Sequence, residues 1–119
     1  MLTDKEVVRL LDIANAGVNR GQVALARRVY EGILAERPDH APTLISLALS
    51  HIAVGEYAEA DAVLKDRVLA ANPADADALS YLGLSAALSD RKDEAREILA
   101  QVPSEGAAGE MAARILETL

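Results

Sequence analysis

The sequence predicts an all-α fold in which pairs of helices stack into a right-handed superhelical solenoid. One pattern recurs three times, at spacings of 34 and then 35 residues, as the series Ala26, Ala60 and Ala95 shows. A period of this length is typical of two-helix units, each of which buries its apolar face only against a neighbour. Composition agrees: 51% of the residues are hydrophobic but only 3% are aromatic, with no Phe or Trp. Small aliphatic side chains favour close packing of helix on helix.

Capping and turn signals predict seven helices along the chain. Thr3 and Glu6 have the spacing of a capping box, so the first helix is expected to begin at Asp4. Pro38 and Pro73 end the second and fourth helices, because the residue before a proline resists helical geometry. The predicted helices cover about residues 4–18, 22–36, 41–54, 57–71, 75–88, 92–101 and 105–118.

The chain is short enough to form a single domain of 119 residues. We expect repeats at about 7–40, 41–75 and 76–103, followed by a capping helix at about 105–118. The second repeat is one residue longer than the first, and the surplus residue lies between Leu64 and Pro73. It forms either a bulge in the fourth helix or a longer turn after that helix, and the spacing leaves both possibilities open.

The three copies resemble the tetratricopeptide repeat, whose pattern joins W-x2-L-G-x2-Y to A-x3-F, an alanine and a closing proline. The first copy fills these positions with Leu10, Ile13, Ala14, Gly17, Ala26, Tyr30, Ile33 and Pro38. Tryptophan is missing from all copies, and only the third copy keeps the leucine-glycine pair, as Leu82-Gly83. The resemblance implies a concave inner face, lined mainly by the first helix of each pair, where partners bind.

The repeat register predicts one core layer for each unit. The layers are Leu10, Ile13, Tyr30 and Ile33; then Leu44, Leu47 and Leu64; then Leu79, Leu82 and Leu99. Small residues are expected where helix backbones approach each other, at Ala14, Ala48 and Gly83 on the first helices and at Ala26, Ala60 and Ala95 on the second. A larger side chain at these positions would cost roughly 1–3 kcal/mol through overpacking.

The third predicted helix is apolar on nearly all sides, since Ile45, Leu49 and Ile52 point away from its core positions. A helix of this kind is normally buried on two faces. We interpret the second face as part of an apolar groove for an amphipathic partner helix. The predicted groove residues are Val8, Leu11, Asn15, Val18, Ile45, Leu49, Ile52, Ser80, Leu84, Ala87 and Leu88. The alternative is a tight superhelix in which these residues pack on one another or on the capping helix.

Several classes of chemistry are not predicted. The net charge of −7 argues against nucleic-acid binding, and no segment reaches the length of about 20 apolar residues that a membrane span needs. His51 replaces the helix-packing tyrosine of the repeat and is expected to be structural, whereas His40 is expected to be solvated in a turn. No third ligand has metal-site spacing, and no nucleophile and base are paired. We therefore expect neither an enzyme nor a cofactor. The N-terminus lacks the pattern of a signal peptide, so a cytoplasmic location is expected.

The resemblance also bears on the partner. Repeat proteins that hold the acidic C-termini of heat-shock chaperones use a basic clamp, and the equivalent positions here, Leu11, Asn15, Ser46, Asp77 and Tyr81, include no basic residue. That partner is therefore rejected. In length, repeat number and C-terminal helix, the chain is similar to the small cytoplasmic chaperones of bacterial type III secretion, in particular those that bind the needle subunit. This similarity implies a client helix in the groove, often with a small helical co-chaperone. A generic adaptor or assembly scaffold in a multiprotein complex is the alternative.

Overall fold

The computed structural model describes residues 1–119, which form helices joined by short turns and contain no strand. The helices are α1 (Asp4–Asn19), α2 (Val23–Glu36), α3 (Ala41–Ala53), α4 (Tyr57–Ala62, continuing as a π-helical segment, Val63–Leu69), α5 (Ala76–Leu88), α6 (Lys92–Leu99) and α7 (Gly106–Glu117). The predicted all-α fold is confirmed. A membrane span needs about 20 apolar residues in one helix, and no helix of the structure meets this requirement.

Capping and turn residues at the helix ends adopt the hydrogen bonds and backbone conformations expected of them. At the start of α1 the Thr3 hydroxyl accepts a hydrogen bond from the Glu6 amide at 3.2 Å, and the Thr3 amide donates to the Glu6 carboxylate at 2.9 Å. This is the predicted capping box. The turn inside each helix pair needs one residue in the left-handed region, and Gly21, Gly55 and Asp90 occupy it with φ of 81°, 78° and 63°. Aspartate tolerates this conformation better than most residues with a side chain.

The surplus residue of the second repeat lies inside the fourth helix. The backbone there widens to a π-helix over Val63–Leu69, and the Ala70 amide bonds to the carbonyl of Lys65, five residues earlier, at 3.0 Å. A π-helical turn accommodates one extra residue without ending the helix. Leu64 and Val68 remain fully buried on either side of the insertion. The structure thus distinguishes between the two possibilities that the sequence left open.

The helices pack as three sequential pairs, with further contacts from α1 to α3 and from α3 to α5. The molecule measures 42 × 27 × 23 Å. One core cluster lies within the first pair, and a larger one joins the second and third pairs. α7 packs on α5 and α6, where Ala112 and Ile115 form a small cluster with Leu99. α7 therefore covers part of the last helix pair and leaves another part open.

The small residues lie at the close approaches that the register predicts. Ala60 and Ala95 are fully buried. Gly83 of α5 lies directly against Leu99 of α6: a Cβ atom added at residue 83 would lie 2.3 Å from Leu99 Cδ2. Because this distance is far below van der Waals contact, only glycine fits there without movement of the Leu99 side chain or of α6.

The predicted core of the first repeat needs a correction. Ile13 is 62% exposed and Leu10 is only half-buried, whereas Val7 and Leu11 are buried in their place. The equivalent of Ile13 in the second repeat, Leu47, packs on the core of the first repeat. That position therefore faces the preceding repeat, and in the first repeat no helix lies in front of it.

Candidate protein-binding groove

A groove runs between the first helices of the three pairs, and we call it the central groove. It consists of two adjoining cavities of about 320 Å³ each, which share Asn15, Ser46 and Leu49. The cavity between α1 and α3 is lined by Asn15, Val18, Asn19, Tyr30, Ser46, Leu49, Ile52 and Ala53. The cavity that extends to α5 is lined by Asn15, Ala41, Pro42, Ile45, Ser46, Leu49, Asp75, Asp77 and Tyr81.

Helix periodicity explains why α3 forms the floor of the central groove. Ile45, Leu49 and Ile52 are spaced by four and three residues, so they lie along one face of α3. Ile45 and Leu49 are half-buried, which leaves part of each side chain accessible, while Ile52 is 7% exposed. A neighbouring face of α3 carries Leu44 and Ala48, both fully buried in the core. The helix therefore uses one apolar face for stability and leaves a second partly open.

The structure divides the predicted groove residues among several places. Asn15, Val18, Ile45, Leu49 and Ile52 do line the central groove. Leu84, Ala87 and Leu88 instead line a different cavity of about 380 Å³ between α5 and α7, together with Lys92, Met111, Arg114, Ile115, Thr118 and Leu119. We call this cavity the terminal cleft.

The other three predicted groove residues line neither the central groove nor the terminal cleft. Ser80 is fully buried beneath α7, and its hydroxyl lies within hydrogen-bond distance of the Ala76 and Ala108 carbonyls, at 2.9 and 3.2 Å. Leu11 is 8% exposed and belongs to the core of the first repeat. Val8 is 59% exposed on α1. The prediction assumed that α5 lines the groove in the same way as α3. The capping helix α7 packs on α5, however, and not on α3.

Sequence reasoning missed much of the polar lining, although a signal was present. The clamp positions of chaperone-binding repeats correspond to Leu11, Asn15, Ser46, Asp77 and Tyr81, and all of them except Leu11 line the central groove. The lack of a basic residue at these positions argues against an acidic partner, but the four side chains still form part of the groove surface.

The electrostatics of the central groove are acidic. Asp75 and Asp77 lie at its α5 side, and no Lys or Arg lines either cavity. The Asp75 carboxylate accepts a hydrogen bond from the Ala78 amide at 3.0 Å and so caps α5. Burial, followed by the nearby charge of Asp77, raises the pKa of Tyr81 above its ordinary value, so this hydroxyl stays protonated and available as a donor.

The side chain of Asn15 is held in place by a hydrogen bond from the core residue Tyr30. The Tyr30 hydroxyl donates a short hydrogen bond to its side-chain oxygen. Tyr30 is fully buried, and this burial raises its pKa. The bond fixes the side-chain amide of Asn15, a residue that lines both cavities of the central groove. A core residue thereby positions a polar group of the central groove.

The two histidines lie outside the central groove. His51 Nδ1 is 2.9 Å from the Glu56 carboxylate and 3.1 Å from Arg27 Nη2, and Arg27 also bonds to Glu56 at 2.5 Å. Glu59 brings a third candidate metal ligand within 4.8 Å of His51 and Glu56, but Arg27 Nη2 already contacts both His51 Nδ1 and Glu56 Oε1. His40 is half-buried rather than solvated, with Nδ1 2.7 Å from the Thr43 hydroxyl. Both histidines serve local packing.

Comparison with known proteins supplies the family. The family model described as tetratricopeptide repeat matches residues 45–110, which is more than half of the chain. No curated protein and no solved structure matches the chain. The match covers most of α3 and extends into α7, and the 34-residue spacing carries the same pattern back through α1 and α2. The chain therefore belongs to the tetratricopeptide repeat family, whose repeats mediate protein–protein binding.

Proposed function

We propose that this protein holds an amphipathic helix of a client protein in the central groove. The observation that carries the proposal is the accessible apolar floor of α3, at Ile45 and Leu49, set between polar groups at Asn15 and Ser46. A partner helix with one apolar face can bury that face on α3 and direct its polar edges to these groups. Contact with the floor supplies most of the affinity, and the polar groups select the orientation.

The charge of the groove restricts the client. Asp75 and Asp77 lie at one side of it, and the whole chain carries a net charge of −7. An acidic client helix would be repelled, whereas a helix with Lys or Arg beside its apolar face is attracted and oriented. The proposed client is therefore a basic amphipathic helix.

The similarity to type III secretion chaperones gives this proposal a specific form. In that form the client is a secreted or needle subunit that polymerises on its own, and this protein covers the polymerising face in the bacterial cytoplasm. A small helical co-chaperone belongs to the same proposal. Length, three repeats and an apolar groove floor support it.

A second candidate, a generic adaptor or assembly scaffold, is favoured by the polar share of the lining. Asn15, Asn19 and Ser46 offer hydrogen-bonding groups along the groove. Such groups can bind the backbone of a short extended segment, as adaptors do, as well as the edges of a helix. The two candidates therefore differ in the shape of the client, not in the location of the site.

The site is tested with Leu49→Asp. A charge in the floor of a desolvated contact should reduce client binding at least about a hundredfold. The matched control is Leu88→Asp, which places the same charge at a 54% exposed leucine of the terminal cleft and should leave binding unchanged. Proteins co-purified with each variant, identified by mass spectrometry and then titrated in purified form, provide the measurement. Equal binding by Leu49→Asp and the wild type would place the interface elsewhere.

Folding must be separated from binding in this test. Leu44 is fully buried, so Leu44→Asp should unfold the protein, while Leu49→Asp should retain a cooperative thermal transition. If both variants unfold alike, the central groove is packed shut and cannot admit a helix.

The two candidate functions give different results with the purified client. A secretion chaperone keeps a small, self-polymerising helical client monomeric at a 1:1 ratio, which light scattering detects as suppressed polymer growth. An adaptor binds a short exposed segment of a larger protein without changing that protein's assembly. A client that is folded and non-polymerising on its own would exclude the chaperone role.

A further inference from the structure

The first helix pair has an open apolar end. Ile13 of α1 is 62% exposed and Leu25 of α2 is 58% exposed, among the highest values for large hydrophobic residues in the chain. Single exposed apolar residues are common on protein surfaces and need no explanation. Two exposed apolar residues at the same end of a repeat stack do need an explanation, because the apolar face of a repeat is usually covered by the adjacent repeat.

Repeat equivalence indicates which direction the two positions face. One repeat after Ile13, Leu47 packs on the core of the first repeat. Two repeats after Leu25, Glu94 of α6 pairs at 3.6 Å with Lys65, which belongs to the preceding pair. Ile13 and Leu25 therefore face the place where a preceding helix pair would pack. No helix of this structure covers them.

The exposed surface of α2 near Leu25 has room for a second helix to approach its backbone closely. A cavity of about 310 Å³ is lined there by Leu2, Leu10, Arg28, Val29, Gly32, Ile33 and Glu36. Gly32 is exposed on the same face of α2 as Arg28 and Glu36, and a Cβ atom added to it would meet no heavy atom within 4 Å. A helix can thus cross α2 at Gly32 with its backbone close to the glycine.

Charge distinguishes this end from the rest of the molecule. Residues 1–40 contain six acidic and six basic residues, so they are neutral overall, whereas residues 41–119 contain 13 acidic and six basic residues. The whole net charge of −7 therefore lies on the second and third repeats and the cap. Two copies of the chain repel each other least when their first repeats meet.

We propose that the first repeat is the contact between two copies of this chain, with α2 crossing the α2 of the second copy in antiparallel orientation at Gly32. In this arrangement Arg28, four residues before Gly32, faces Glu36 of the second copy, four residues after it. The Glu36 carboxylate also accepts a hydrogen bond from the Leu2 amide of its own chain at 2.8 Å and keeps it in the dimer. Two-fold symmetry forms the pair twice, so the interface is self-complementary. Ile13 and Leu25 are buried beside it, and the acidic parts of both copies point away from each other. The proposal is independent of what the central groove binds.

Sedimentation equilibrium of the purified full chain tests the proposal, at concentrations up to about 100 µM, where a contact of even modest affinity is populated. We expect the wild type to have twice the mass of one chain. Gly32→Arg, which blocks the crossing, and Ile13→Ser, which removes apolar contact, should each raise the dissociation constant at least about tenfold. Leu88→Ser is the matched control at the other end of the molecule and should leave the dimer unchanged. Circular dichroism checks that each variant is folded.

The charge pair provides a test specific to the antiparallel crossing. Arg28→Glu alone and Glu36→Arg alone each place like charges opposite one another and should weaken the dimer about tenfold or more. The double variant Arg28→Glu/Glu36→Arg restores opposite charges across the contact and should recover the dimer. A monomeric wild type overturns the proposal. So does a dimer that is insensitive to Gly32→Arg and Ile13→Ser, or one in which the double variant is no better than the single variants. Leu49→Asp should leave dimerisation intact, which separates this result from failure of the groove proposal.

Discussion

The guanidinium of Arg27 lies 2.5 Å from the carboxylate of Glu56 and ties α2 to the turn between α3 and α4. One repeat later the same two positions carry the opposite charges: Asp61 of α4 lies 2.8 Å from Arg91 in the turn between α5 and α6. The offsets are 34 and 35 residues, so the pairs are equivalent by sequence as well as by structure. Each junction between repeats thus has its own ion pair, and a misaligned stack would bring like charges together.

We predict that the first ion pair can be inverted. Arg27→Asp and Glu56→Arg should each lower the urea midpoint, because each leaves a partly buried charge beside a like charge. The double variant should recover most of the loss, since the second junction accepts that arrangement within the same repeat geometry. A double variant as unstable as the sum of the two single variants would show that the repeats do not tolerate the exchange.

The Glu56 carboxylate should make stability fall with acid. Its hydrogen bond with His51, and then that with Arg27, hold its pKa below the ordinary value for glutamate. A lowered folded-state pKa means that the unfolded chain binds protons first, so this contribution is complete above the ordinary pKa and is lost as the pH falls through the lowered one. Glu56→Gln should therefore reduce stability at pH 7 and flatten the decline of the urea midpoint between about pH 5 and about pH 3.

Glu6 provides a second, separable contribution to the acid sensitivity. The capping-box hydrogen bonds with Thr3 lower its pKa as well, so Glu6→Gln should flatten the same part of the profile. Because the two carboxylates share no partner, the effects of Glu6→Gln and Glu56→Gln should add in the double variant. An unchanged pH profile for Glu56→Gln would contradict the assigned cause.

Two equivalent serines should respond differently to removal of the hydroxyl. Ser50 is fully buried; its Oγ accepts a hydrogen bond from Arg27 Nε at 3.1 Å and donates to the Leu47 carbonyl at 2.6 Å. Ser85, one repeat later, is equally buried but its Oγ has no hydrogen-bond partner. Ser50→Ala should cost about 1 kcal/mol, whereas Ser85→Ala should be neutral or stabilising, because it removes an unsatisfied buried hydroxyl. Equal losses in chemical denaturation would refute this difference.

The close approach of α5 and α6 should be sensitive to a single methyl group. Gly83→Ala places a Cβ atom in the space of Leu99, which is 2% exposed and held on its other side by the cluster with Ala112 and Ile115. The expected loss is roughly 1–3 kcal/mol of unfolding free energy.

The matched control for this prediction is Leu99→Val. Combined with Gly83→Ala, it should recover part of the loss, since it removes the Cδ2 atom that clashes most closely, and a double-mutant cycle measures the coupling. If Gly83→Ala is as stable as the wild type, α5 and α6 are less closely packed than the structure shows.

Local chemistry and periodicity in the sequence determined the helix pairs, the capping box, the turns at Gly21, Gly55 and Asp90, and the close approach at Gly83. These features depend on a residue's own conformation or on a neighbour at fixed spacing, so the repeat specifies them. Three others were decided only by the tertiary structure: the surplus residue forms a π-helical turn at Val63–Leu69, Ile13 is exposed, and Leu84 faces the terminal cleft. The physical reason is that the sequence pattern is the same in every repeat, whereas the burial of a residue depends on which helix packs against it. The first repeat has none in front of it, and the third meets α7.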